Sequence, residues 1–114
     1  MMSLQSLIQR NYNEIYAHEQ AHKTAGGKYA GDIVIERNSQ GIPVGGHVAI
    51  AMPVLNKANP TETINHAEIV QRAAMAPSNP SAQDYRVANQ AMQIKFQAQA
   101  IKNQHQGNRL DLRA

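Results

Sequence analysis

Leu4, Leu7, Ile8, Tyr12 and Ile15 recur at the spacing of one face of an α-helix, and the same stripe, continued one turn at a time, reaches His18 and His22. The pattern predicts an amphipathic helix over residues 3–24 whose two histidines face the interior. Gly26 and Gly27 end it, because glycine takes the left-handed cap conformation at least cost. Glu19 follows the first histidine directly, so the stretch "HEQAH" at 18–22 has the form H-E-x-x-H.

The pattern then changes from helical to alternating. "DIVIE" at 32–36 and "VGGHVAIAM" at 44–52 are rich in β-branched residues and flank the turn formers of "RNSQGIP", which predicts a β-hairpin. In the second strand Val48, Ile50 and Met52 alternate with His47, Ala49 and Ala51, so His47 points away from the larger apolar side chains. Gly45 and Gly46 permit a bulge or a close approach of backbone to a neighbour. Asn59, Pro60 and Glu62 are the cap, first residue and first-turn acid of a helix over 60–75, which Pro77 stops. Ser81 and Asp84 have capping-box spacing and open a last helix with Val87, Ala91, Ile94, Ala98 and Ile101 on one stripe. Past that stripe "QHQGNRLDLRA" loses its periodicity. The expected architecture is α+β, a helix, a hairpin and two further helices in one domain over 1–104, with a frayed polar tail over 105–114.

Composition limits how such a domain is held together and where a metal could bind. One Phe, four Tyr and no Trp leave Ile, Leu, Val, Ala and Met to build the core, so a bound metal would be a useful stabiliser. Without cysteine there is neither disulfide nor thiolate ligand, and a transition metal must sit on His, Asp or Glu. The net charge of +3 comes from Lys and Arg scattered singly, without the aromatic interleaving of a nucleic-acid platform. No apolar run approaches the ~20 residues of a membrane span, and "MMSLQSLIQR" lacks the charged start and long apolar centre of a secretory signal. The expectation is a soluble cytoplasmic protein, unless a signal-independent route exports it, with neither nucleic acid nor membrane as partner.

H-E-x-x-H on a helix carries a specific chemistry. Histidines one turn apart project from one face at the separation two zinc ligands need, and the glutamate between them can act as base on a water that Zn²⁺ acidifies. His18 and His22 are the candidate ligands and Glu19 the candidate base. A catalytic zinc needs a third protein ligand. The metzincin form would supply a histidine soon after the second, and "HKTAGGKYAGD" has none. His47 is the leading candidate for this place, with His66 and Glu68 on the next helix behind it, while His105 lies in the polar tail.

"HEQAH", "VGGHVAI" and "AAMAPSNPSAQD", in this order and at this spacing, resemble the SprA-related family, bacterial proteins assigned to the metalloproteases, with the similarity running from about Tyr16 to Ala100. The resemblance implies a small zincin-like domain with zinc as cofactor, and it matches His18, Glu19 and His22 to the family's H-E-x-x-H residues. The chain departs from the family pattern in two places. The family generally carries glutamate after the double glycine, where this chain has His47, and both residue types can bind zinc. A Gly-rich, Tyr-containing turn before the double glycine is reduced here to "SQGIPV", which leaves Tyr29 or Tyr85 to take the place of that tyrosine.

Three function classes follow. The first is a zinc metalloendopeptidase acting on a peptide or protein that pairs along the 44–52 strand. The second is a non-hydrolytic zinc-binding structural or interaction module, virion- or secretion-associated. The third, ranked last, is a small basic helical protein that binds nucleic acid.

Overall fold

A computed structural model describes the backbone of residues 2–111 and the side chains of residues 2–105. The order of elements is α1 (Leu4–Gly26), a single 3-10 turn (Gly27–Tyr29), β1 (Ala30–Arg37), β2 (Pro43–Ile50), α2 (Pro60–Ala74) and α3 (Ala82–Asp111). The small α+β arrangement read from the sequence is the one observed, three helices and one two-stranded antiparallel hairpin. None of the helices, among the described residues, is long and apolar enough to cross a membrane.

Local chemistry sets most of the boundaries. The Ser3 hydroxyl accepts the N–H of Ser6 at the start of α1. At its end Gly27 adopts φ 54° and donates its N–H to the Lys23 carbonyl. The hairpin turn is organised by Asn38, whose side-chain oxygen accepts the N–H groups of Gln40 and Ile42, with Gly41 at φ 79°. Asn59 caps α2 by accepting from the Glu62 N–H, and Pro60 occupies the first helical position. At α3, Ser81 and Asp84 form a reciprocal box, the Ser81 hydroxyl accepting the Asp84 N–H and the Asp84 carboxylate accepting the Ser81 N–H.

The hydrophobic core lies mainly between α2 and α3, where Ala67, Val70 and Ala91 are fully buried and Ile50, Met52 and Val87 pack against them. Among the described residues, prolines aside, five of the seven buried apolar side chains are alanines: Ala67, Ala73, Ala74, Ala91 and Ala98. Small side chains let the two helices approach closely, but each removes little apolar surface from water, so the core contributes modestly to stability.

The stripe on α1 is buried progressively rather than uniformly. Leu4 is exposed, Ile15 half-buried, and Glu19 and His22 buried. The Asn11 amide donates to the Pro43 carbonyl, where β2 begins to run beside the helix. β2 alternates as expected, with His47 and Ala49 exposed and Val48 and Ile50 half-buried. It pairs with β1 in the register Ile33↔Val48, Val34↔His47 and Ile35↔Gly46.

One boundary differs from the sequence reading: the second strand ends at Ile50, two residues earlier than expected. The backbone of α3 is helical as far as Asp111. The side chains beyond His105 and residues 112–114 lie outside the described residues.

Gly46 fixes the distance between the hairpin and α1. A Cβ at this position would lie 2.8 Å from Ile15 Cγ2, 3.0 Å from the Val34 carbonyl oxygen and 3.1 Å from Glu19 Cγ. The Val34 oxygen belongs to the paired strand and cannot turn aside as a flexible side chain could. Gly46→Ala is therefore expected to push β2 away from the helix and cost about 1–3 kcal/mol, as overpacking of an interior does, visible as a lower midpoint in chemical denaturation. An unchanged midpoint would mean that the hairpin is free to shift.

Candidate metal centre

His18 and His22 lie one turn apart on α1, with their rings 5.0 Å apart edge to face. The segment from Met75 to Ser81 carries the chain from the end of α2 back across α1, and there the first turn of α3 sets Asp84 against both rings. Asp84 Oδ2 lies 3.2 Å from His18 Nε2, and Asp84 Oδ1 lies 3.1 Å from His22 Nε2. One donor atom from each of the three residues falls within 4.8 Å of the others, a grouping that could hold a metal ion.

The far side of each ring determines what the near side can do. His22 Nδ1 donates to the Ala73 carbonyl at 2.7 Å, since a carbonyl oxygen can only accept. His18 Nδ1 donates to the Asn79 side-chain oxygen at 3.3 Å. In the neutral imidazole, each Nε2 then presents a lone pair to the Asp84 carboxylate, itself an acceptor. Three acceptors converge without a hydrogen between them, an arrangement that needs a cation or protonated imidazoles. Outer contacts from the remaining ring nitrogen to a carbonyl or amide are those that orient metal-ligating histidines, so two imidazoles and a carboxylate, a donor set that divalent transition metals accept, stand ready to hold a metal ion.

Asp84 is suited to remain anionic here. Burial pushes its carboxyl up, but the Ser81 backbone N–H, the nearby His22, the Ser81 hydroxyl and the His18 contact outweigh burial and hold it below its ordinary value. Its place in the first turn of α3 adds the favourable end of the helix dipole.

Glu19 is 6 % exposed and makes no hydrogen bond or ion pair among the described residues, yet no buried side-chain oxygen lacks a partner. Its carboxylate therefore keeps contact with solvent, through the cavity of about 360 Å³ that it lines together with His18, His22 and Asp84. A buried carboxylate free of protein partners, beside the histidine pair, is available to exchange a proton with whatever occupies that cavity.

The other sequence candidates are placed differently. His47 lies at the rim of the same cavity, but its Nδ1 is 3.1 Å from Glu36 Oε1 and both side chains are 58 % exposed; it is not one of the three grouped residues. His66 donates from Nε2 to the Ala51 carbonyl and stacks on Tyr29 with ring centroids 3.6 Å apart. Glu68 is half-buried on α2 and is outside the group, and His105 is exposed on α3. Tyr85 is exposed, and neither it nor Tyr29 lines the cavity. Asp84 is the residue that sequence reasoning passed over, because its capping-box spacing with Ser81 already gave it a complete local role.

The α1 histidines, the Gly46 contact and the Asp84 turn all fall inside the region over which the chain matches a profile of known proteins. Searches of the curated proteins and of the solved structures found no match. The profile covers residues 2–109, nearly the whole chain, and by it the protein belongs to the SprA-related family.

Proposed function

We infer that the protein is a zinc-dependent peptidase with a small zincin-like domain, in which His18, His22 and Asp84 hold the metal and Glu19 is the general base. The observation that carries this reading is the convergence of two imidazole Nε2 atoms and one carboxylate beside a buried, unpartnered glutamate. Structural zinc sites are closed by four protein ligands, whereas three ligands with one open position are the catalytic pattern. Here three residues converge, and together with Glu19 they line one cavity.

When bound, zinc would polarise the scissile carbonyl and lower the pKa of the attacking water toward roughly 7. The protein groups supply the remainder. Ala73 and Asn79 hold the rings so that Nε2, rather than Nδ1, faces the ion. Glu19 takes a proton from the water as the water oxygen bonds to the carbonyl carbon, then gives it to the amide nitrogen as the C–N bond breaks, leaving a carboxylic acid and an amine. The substrate is a peptide in extended form. In a two-stranded sheet β2 pairs with β1 on one side only, so its other edge can pair with a substrate backbone.

The test is cleavage of a broad peptide library by the zinc-loaded protein, stopped by a chelator and restored by added zinc. Loading should also raise the melting temperature by about ten degrees or more, because a ligand of the native state at ~1,000 times its Kd contributes roughly 4 kcal/mol. An unchanged melting temperature would contradict the metal centre. A stabilised protein that cuts nothing would give zinc a structural role.

A further inference from the structure

The cavity at the metal centre has a mixed lining. Beside His18, His22, Glu19 and Asp84 it is lined by the polar His47, Ser81 and Gln83, by Gly46, and by an apolar set of Val48, Ile50, Met52, Ala74 and Val87. Ile50, Met52 and Val87 pack on the Ala67, Val70 and Ala91 core on one side and keep part of their surface exposed on the other. Neither Lys nor Arg lines the cavity, and its two carboxylates, Glu19 and Asp84, already have the roles assigned above. Its volume of about 360 Å³ is at the low end for ligand sites, enough for a short extended segment with one side chain of moderate size.

We propose that the Val48, Ile50, Met52 and Val87 surface is the specificity subsite of this protein and takes an aliphatic side chain of leucine or methionine size, borne by one of the two residues flanking the scissile bond; this rests on the peptidase reading above. The register of β2 favours such an arrangement. Val48 and Ile50 lie two apart on one face of the strand, and an extended peptide alongside it presents every second side chain to that same face. An aliphatic group removes apolar surface from water on both partners. A carboxylate or an ammonium in the same place would be desolvated against Val, Ile and Met.

Two measurements test the proposal. In the first, zinc-loaded protein digests a peptide library and the sites are read by mass spectrometry. Leu, Ile, Val or Met should be enriched at least about 10-fold over Asp, Glu and Lys at one flanking position, and Val87→Asp should remove that preference. In the second, zinc-loaded Glu19→Gln binds labelled peptides that differ only by Leu against Asp at that position, followed by fluorescence anisotropy. The Leu peptide should bind at least about 10-fold tighter. The peptide pair needs no further variant, so a Val87→Asp protein that fails to fold leaves the test intact. Cleavage without side-chain preference, or preference for a charged residue, would overturn the subsite and leave the peptidase reading standing. Selective binding of the Leu peptide without cleavage by the native protein would support the subsite and sink the peptidase reading. Equal binding of both peptides together with no cleavage would overturn both.

Discussion

Asp84→Ala is expected to weaken zinc binding by at least about 100-fold, whereas His47→Ala should leave it nearly unchanged. Outer-shell partners alone tune metal affinity by roughly 10- to 100-fold, and Asp84 is closer than those, with one oxygen on each histidine at 3.2 and 3.1 Å. His47 instead meets Glu36 at the cavity rim with much of its ring in solvent. The substitution also removes half of the α3 capping box, a loss of about 0.5–2 kcal/mol in the metal-free protein as well. Asp84→Asn separates the two effects, since its amide oxygen can still accept the Ser81 N–H but carries no charge for the metal. Zinc titration by calorimetry at neutral pH measures all three variants. A His47→Ala protein that loses zinc as fully as Asp84→Ala would return His47 to the ligand set.

The second large effect concerns Glu19. Glu19→Gln should reduce peptide cleavage by roughly 10²- to 10⁴-fold, the usual contribution of a general base, with zinc content and melting temperature almost unchanged. The swap keeps the side chain's size in the tight space where its Cγ faces Gly46, and no hydrogen bond among the described residues is lost with the carboxylate. A variant that lost zinc along with activity would make Glu19 a ligand rather than a base.

Much of this fold is legible in the sequence because its boundaries are local. Ser3, Asn59 and Ser81 cap their own helices within three residues, and Gly27 needs only its own positive φ to end α1. The inward histidines are legible for the same reason, since helical periodicity carries the apolar stripe of α1 directly onto His18 and His22. Gly46 is half-legible. Its missing side chain announces a close approach, but only the packed structure shows that the neighbours are Ile15 and Glu19. Asp84 is separated from His18 by 66 residues, and the chain gives no local sign of that meeting.

Anomalous diffraction from a crystal of the zinc-loaded protein, with data collected on both sides of the zinc absorption edge, tests the metal centre directly. One strong peak is expected within about 2.0–2.2 Å of His18 Nε2, His22 Nε2 and an Asp84 carboxylate oxygen, with the remaining position open toward Glu19 and the cavity. A peak bound to His47 in place of Asp84, a fourth protein ligand closing the site, or no ordered zinc between the histidines would contradict it.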